Sequence, residues 1–381
     1  MNFAFTPEQE DLRDTLRRFA AAELAPTYLA DEAEGRLRPE LVSRMAALGL
    51  PGMRVPASLG GSDADFVSIG IAHEEVGRAH FGAGYLILIP VLVSEIVRSA
   101  ATEEQQARFL PRIASGEAIP ALCLTEPEHG SDAAQLEARA ERNGDGWRIT
   151  GEKTSISLGM HAHTALVFAR TGAPGPRGVS AFYVDLDDRH LTRSGFSDLG
   201  SRSIGRASLY FDGHPAPPGS LVGEEGEGFI RVMQGFDFSR ALIALACLGA
   251  ASASLDEAIE YAKDRHTMGV PIGRHQGVAF PLIEYVTYVR AARLLSYEAL
   301  WRKDQGLPHA VESNMAKWWG PKVSAEAVHQ ALLVTGHTGY SDELPHGQRL
   351  RDVIGLEIGD GTAQIAKLVA ARHLFGRRFA P

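Results

Sequence analysis

The stretch ERNGDGWRIT, residues 141–150, lies near the middle of the chain and decides its fold class. Asn-Gly and Asp-Gly pairs favour tight turns, and the aromatic and β-branched residues that follow are typical of a strand. Similar short runs follow at 166–168, 179–186 and 208–211, with a Pro- and Gly-rich segment at 172–178. We therefore predict a small β domain over residues 121–235.

Helical patterns lie on both sides of this β segment. Thr6 and Gln9 fit a capping box around Pro7, and apolar residues recur at helical spacing after it. Further helices are predicted at 39–48, at 67–80 and, capped by Thr102, at 103–114; long helical patterns return around 239–264, 279–304, 312–335 and 362–377. The order predicts an α+β protein: an N-terminal helical domain (1–120), the β domain (121–235) and a C-terminal four-helix bundle (236–381).

The composition excludes several classes of protein. The chain has 381 residues with 38 Lys+Arg and 47 Asp+Glu, a formal net charge of -9 without a basic cluster, which disfavours binding to nucleic acid. Cys123 and Cys247 are too few for a disulfide framework, and neither they nor the histidines have a spacing that indicates a metal site. We expect a reducing compartment and no bound metal.

The sequence also argues against a membrane protein. The apolar run at 83–93 contains Pro90 and is shorter than the roughly 20 residues that cross a bilayer, so we expect a core segment. The N-terminal residues show no basic segment followed by an apolar one, so no signal peptide is expected. These features favour a cytoplasmic protein.

Three polar clusters are candidate functional sites. They are LTEPEHGSD (124–132), DRHTMG (264–269) with His275 and Gln276, and IGDGTAQ (358–364). Each also has a structural explanation: a capped turn, the C-terminal end of a helix, and an N-cap for the last helix by Asp360 or Thr362. No P-loop, Rossmann fingerprint, nucleophile elbow or HExxH pair accompanies them. A β module between helical blocks suggests a ligand site at the domain junction.

Together these clusters, with GWRITGEKTSIS (146–157), FDFSR (236–240) and RDVIGLEIGDGTAQI (351–365), resemble the acyl-CoA dehydrogenase family of flavoproteins almost from end to end. The resemblance implies a helical domain, a middle antiparallel β-barrel and a four-helix bundle. It also implies a homotetramer, with FAD between barrel and bundle, acyl-CoA as substrate and electron-transfer flavoprotein as acceptor.

The resemblance carries roles to individual residues. Cofactor contacts are implied for Thr125, Ser131, Ser155, Ser157, Thr362 and Gln364, and contacts to a neighbouring subunit's FAD for Arg265, Thr267 and Gln276. Substrate contacts are implied for Ser131, Asp237, Arg240 and Gly361. Asp360 is then the base that takes the α-proton while the β-hydride passes to flavin N5, and the enolate is stabilised by a ribityl hydroxyl and the base's own backbone N–H.

Several positions depart from the family pattern. Asp360 replaces the usual Glu, Gly359 replaces a Tyr, and Ser239 stands where a minority of members place the base. A shorter base with free volume beside it suits a bulky α-carbon, and the pattern resembles enzymes that convert cyclohexane-1-carbonyl-CoA to cyclohex-1-ene-1-carbonyl-CoA. We therefore expect an alicyclic or branched acyl-CoA. Ser155, Met268 and Leu333 also depart, which weakens individual cofactor contacts.

Two other functions remain open at this stage. A flavin oxidase of the nitroalkane-oxidase type also uses Asp as its base, although Arg240 and Asp237 favour a CoA thioester. A flavin-bound member without catalysis would be expected to lose the base, and here Asp360 retains a carboxylate.

Overall fold

The N-terminal part of the computed structural model, which describes residues 3–376 and 378–380, is helical. Its helices are α1 Pro7–Phe19, α2 Tyr28–Glu34, α3 Pro39–Ala47, α4 Phe66–Ala79, α5 Tyr85–Ala100 and α6 Glu103–Ala114. The predicted capping box at Thr6 and the predicted cap at Thr102 are confirmed, and Thr102 also forms a capping box: each threonine accepts from a backbone N–H while the glutamine three residues on bonds back. The predicted helices at 39–48, 67–80 and 103–114 are also confirmed to within two residues.

The apolar run at 83–93 belongs to a longer helix than the sequence indicated. Pro90 lies inside α5, so the run does not end there, and the segment Gly82–Ala100 is long and apolar enough to cross a membrane. The same holds for Gly228–Asp264. However, 78% and 94% of their most apolar windows are buried inside the protein, as expected for core helices. The prediction of a core segment is therefore right. The reason given for it was wrong, because the helix is longer than the apolar run and is long enough to cross a membrane.

The middle part is a twisted sheet. Its strands are β1 Pro120–Cys123, β2 Arg139–Asn143, β3 Gly146–Ile156, β4 Thr164–Arg170, β5 Val179–Asp185, β6 Leu191–Gly195, β7 Ala207–Ala216 and β8 Leu221–Val222, paired in the order β6-β7-β3-β2-β4-β5-β8. Most neighbours are antiparallel, as predicted, but β1 and β2 pair in parallel with β4. The sheet is therefore mixed. Its apolar face forms its own core, with Ile149, Val167, Phe182 and Leu209 buried.

The C-terminal part begins with the long helix α7, Gly228–Asp264, so the predicted boundary at 236 falls inside a helix. A short hairpin follows, β9 His266–Thr267 and β10 Val270–Pro271, and then α8 Gln276–Asp304, α9 Ala310–Gly339, α10 His346–Ile358 and α11 Ala363–Phe375. The sequence pattern had indicated no helix at α10. Its prediction for the last helix extended to residue 377, which lies outside the described residues. Helix α7 packs against α4, α8 and α9 and so joins the two helical parts.

Candidate active site

Asp360 lies on the short turn between α10 and α11. Its φ of 54° is in the left-handed region, which glycine adopts most easily, and glycines precede and follow it. Thr362 caps α11, since its side chain accepts from the N–H of Ile365. The capping role that the sequence left open between Asp360 and Thr362 therefore belongs to Thr362. Within the described part of the chain, the Asp360 carboxylate has no hydrogen bond, so it is available to a ligand.

Two buried cations surround this carboxylate. Burial raises the pKa of Asp360, and the charges of Lys317 and Arg240 oppose that rise. Arg240 lies on α7 and is 5% exposed, and its buried Nε has no hydrogen-bond partner among the described residues. Its Nη1 lies 3.8 Å from Oδ1 of Asp237, one helical turn earlier. The site therefore has a carboxylate of raised pKa near a guanidinium with an unused hydrogen-bond donor.

The predicted substrate residues Asp237, Arg240 and Gly361 converge on this turn. A Cβ at Gly361 would lie 3.4 Å from Cγ2 of Ile365 and 3.6 Å from Nη2 of Arg240, and the glycine has a φ of 92°. A side chain there would be strained and crowded against the guanidinium. Ser239 is fully buried and its hydroxyl is unpaired among the described residues, but it is no carboxylate.

Tyr85 is a site residue that the sequence reasoning missed. Tyr85 begins α5. Burial is the main cause that raises its pKa well above the ordinary value; the negative charge of Asp360 raises the pKa further, and the positive charge of Arg206 lowers it. Tyr85, in the N-terminal helices, is therefore near enough to Asp360 for the carboxylate charge to act on its hydroxyl. No motif in the sequence marks it, because its role depends on how α5 packs against the C-terminal part.

The end of β3 carries further predicted cofactor residues. Ser155 has a φ of 58°, and its Oγ accepts from Nη1 of Arg206 at 2.9 Å. Arg206 is itself held by Asp198 through Nε at 2.8 Å. The N–H of Thr154 donates to the carbonyl of Thr125 at 2.9 Å, which places the predicted cofactor residues Thr125 and Ser155 on neighbouring segments.

A buried ion pair anchors the Thr125 segment to the sheet. Lys153 is fully buried, and its Nζ donates to Oε1 of Glu126 at 2.7 Å and to the carbonyl of Leu124 at 3.0 Å. The carboxylate of Glu126 also accepts from the N–H groups of Glu137 and Ala138. Both charged residues stand inside the quoted motifs, although sequence reasoning gave them no role.

The remaining predicted cofactor residues suit a large polar ligand. The hydroxyl and amide groups of Thr125, Ser131, Ser157 and Gln364 have no hydrogen bond to protein within the described residues, and Ser131 and Gln364 are exposed. Such groups remain available to the phosphates and heteroatoms of a dinucleotide. On this donor set, the residues present fit FAD.

Arg265, Thr267 and Gln276 lie apart from this group. They occupy the end of α7, β9 and the start of α8, and all three are exposed. At about 1.5 Å per residue, α7 places Arg265 about 37 Å from Arg240. Within one chain, these three residues therefore do not meet Asp360.

The described residues contain no cluster of His, Cys, Asp or Glu able to hold a metal ion. A surface pocket of about 520 Å³ lies between α7 and α8 next to Arg290 and is not lined by Asp360. None of the predicted site residues lines this pocket.

Comparisons with known proteins agree with this architecture. Models of the N-terminal, middle and C-terminal domains of acyl-CoA dehydrogenases match residues 6–117, 121–214 and 226–375. The mitochondrial short-chain specific acyl-CoA dehydrogenase of Bos taurus is 35% identical over 367 residues, which cover 95% of this chain and 89% of the relative.

Two solved structures are similar over nearly their full length. Butyryl-CoA dehydrogenase from Megasphaera elsdenii has a TM-score of 0.95 and 30% identity, with 98% of this chain and 100% of that chain covered. A chain in a structure described as the electron transferring flavoprotein of Acidaminococcus fermentans has a TM-score of 0.95 and 31% identity, covering 98% and 99% of the two chains.

Proposed function

Because this chain belongs to the acyl-CoA dehydrogenase family, we propose that Asp360 removes the α-proton from an alicyclic or branched acyl-CoA. Enzymes of this family are FAD-dependent oxidoreductases, and acyl-CoA dehydrogenation is the activity of the chain. The proposal concerns the identity of the base and the shape of the acyl group. The observation that carries it is the buried carboxylate of Asp360, which has no hydrogen bond among the described residues and stands on a turn that Lys317 and Arg240 both approach.

The surroundings of Asp360 suit a general base. An α-proton of a thioester is very weakly acidic, so a base whose pKa is raised by burial is better matched to it than an exposed carboxylate. The backbone N–H of Asp360 has no protein acceptor among the described residues, so it can donate to the thioester oxygen as negative charge develops there. FAD, when bound in this cleft, supplies the acceptor for the hydrogen that leaves the β-carbon.

The shape of the site favours a bulky α-carbon. Asp is one methylene shorter than Glu, so its carboxylate leaves more room in front of it. Gly359 widens that space, and its backbone does not demand glycine: a Cβ there would make only ordinary contacts at 3.5 Å with the carbonyl oxygen of Gly355 and with Leu356. Since the backbone would accept a side chain at this position, we attribute the glycine to the extra volume that it leaves beside the base. The named relatives, by contrast, are specific for short chains or butyryl-CoA.

A panel of thioesters tests the substrate. With a ferricenium acceptor, we expect kcat/KM for cyclohexane-1-carbonyl-CoA or isobutyryl-CoA to exceed that for butyryl-CoA by about tenfold or more, which is a typical effect of pocket shape. Gly359→Tyr should reduce that ratio by filling the space. A faster reaction with butyryl-CoA would contradict the proposed substrate. Oxygen consumption with a nitroalkane and no reaction with acyl-CoA would indicate a flavin oxidase instead.

The pH dependence follows from the raised pKa of Asp360. The base acts only when it is ionised, so kcat/KM is expected to be high above this pKa and to fall as the pH drops through it. Because the pKa lies above the ordinary range of aspartate, the fall should begin at a higher pH than for an unperturbed carboxylate. The measurement is kcat/KM between pH 5 and 9; a flat profile down to pH 5, in an enzyme that stays folded, would contradict the assignment.

The proposed function also includes a subunit assembly and an electron acceptor. Helix α8 leaves Phe280 and Ile283 each 61% exposed and Trp301 51% exposed, and apolar patches of this kind are usual at subunit interfaces. We assign them to a homotetramer in which Arg265, Thr267 and Gln276 serve a neighbouring protomer's FAD. Electron-transfer flavoprotein, named in the description of a similar structure, is the proposed acceptor. Burial of both long apolar helices favours a cytoplasmic enzyme.

A further inference from the structure

Lys317 joins the two ends of the turn that carries Asp360. It lies on α9, is 1% exposed, and has no counterpart in the motifs that identified the site. Its Nζ donates to the carbonyl of Leu356 at 2.8 Å and to the carbonyl of Gly361 at 2.9 Å. The first carbonyl lies in the last turn of α10 and the second directly follows Asp360. One ammonium group therefore spans the whole turn.

The turn needs such a support because its backbone is intrinsically loose. Glycine restricts the backbone less than any other residue, and Gly359 and Gly361 stand on either side of Asp360. Asp360 itself has a left-handed φ that is disfavoured for residues with a side chain. The carbonyls at the end of α10 also lack further helical partners. Two hydrogen bonds from a buried side chain hold this turn in one conformation.

Lys317 also sets the charge around the base. Burial lowers its own pKa to about 8, Asp360 opposes that change most strongly, and Cys247, Arg240 and Glu357 act on it more weakly. Seen from Asp360, Lys317 is the stronger of the two cations that favour the ionised carboxylate. Burial and, after it, the negative charge of Asp360 raise the pKa of Tyr85 on α5. Removing Lys317 would therefore change both the geometry and the charge at Asp360.

We propose that Lys317 is a positioning residue for the proton transfer, holding the Asp360 turn in its reactive conformation and keeping the carboxylate ionised. This inference rests on the proposed function, since it acts only through Asp360. It assigns to α9 a part in the reaction that the motifs quoted from this sequence do not include.

Lys317→Met tests the proposal, because methionine keeps the length of the side chain and loses its charge and donors. We expect kcat to fall by about 10²-fold, the usual cost of a misplaced catalytic group, while the flavin spectrum and FAD content stay unchanged. The acid limb of the kcat/KM profile should move to higher pH, because a positive charge beside the base is lost. Lys317→Arg, which keeps the charge, should leave the limb near its original position.

The control is Lys322→Met on the same helix, whose ammonium pairs with Glu326 at the surface, and it should behave like the unmodified enzyme. If Lys317→Met does not fold, Lys317→Gln is measured in the same way. In an Asp360→Ala background, Lys317→Met should cause no further loss of rate, since its effect passes through the base.

Each outcome separates this inference from the proposed function. An unchanged kcat and acid limb in Lys317→Met, with Asp360→Ala still inactive, would overturn the role of Lys317 alone. An additive loss in the double variant would show a general structural role and would also overturn it. An active Asp360→Ala enzyme would overturn the proposed base itself.

Discussion

Asp360→Ala is expected to lower kcat for the best acyl-CoA substrate by about 10⁴-fold, at the upper end of general-base effects, while FAD remains bound. The reason is that Asp237, the other predicted site carboxylate that converges on this turn, lies 3.8 Å from Nη1 of Arg240, and Ser239 holds only a hydroxyl. Anaerobic mixing of enzyme with substrate, followed by bleaching of the flavin absorbance, measures this step without an external acceptor.

Two matched variants make the result specific. Asp342→Ala removes an exposed carboxylate between α9 and α10 and should leave the rate unchanged. Asp360→Glu keeps a carboxylate but extends it by one methylene, so it should retain part of the activity and favour unbranched thioesters. Flavin bleaching by Asp360→Ala within tenfold of the original rate would exclude Asp360 as the base.

Lys153→Met is expected to destabilise the protein by about 3–5 kcal/mol, because it leaves the carboxylate of Glu126 buried without its cation. The Glu126 carboxylate would keep only the N–H groups of Glu137 and Ala138. Chemical denaturation of the FAD-free protein, followed by circular dichroism, measures the loss.

The double variant Glu126→Gln/Lys153→Met is the control for charge. It removes both charges, so it should be less destabilised than Lys153→Met alone.

Because Glu126 also holds the Thr125 segment, Lys153→Met should weaken FAD binding as well. Equal stability of Lys153→Met and the unmodified protein would show that the ion pair does not stabilise the fold.

Local patterns predicted most of the fold. The caps at Thr6 and Thr102 and the strand starting in GDGW depend on neighbouring residues alone, so the sequence indicates them correctly. Helix α5 was underestimated because Pro90 was taken as a break, whereas it lies inside the helix. Helix α10, His346–Ile358, was missed: the sequence pattern indicated no helix between α9 and the last helix.

The candidate site was predictable only where it lies in one stretch of sequence. Asp360, Gly361 and Thr362 belong to one motif, and their place at the head of α11 follows from it. Lys317 reaches the same turn from α9, and the charge of Asp360 acts on Tyr85 of α5; neither residue carries a local signal. Their proximity depends on helix packing, which adjacent residues do not encode.

Helix α7 fixes the distance between Arg240 and Arg265. It carries Asp237 and Arg240 near its beginning and runs without interruption to Asp264, just before Arg265. Each residue inserted between them would advance the far end by about 1.5 Å and rotate it by about 100°. In the proposed homotetramer, a single insertion there would turn the β9–β10 hairpin away from the adjoining protomer. We expect natural length variation to be confined to the connections between helices and strands, while this helix keeps its residue count.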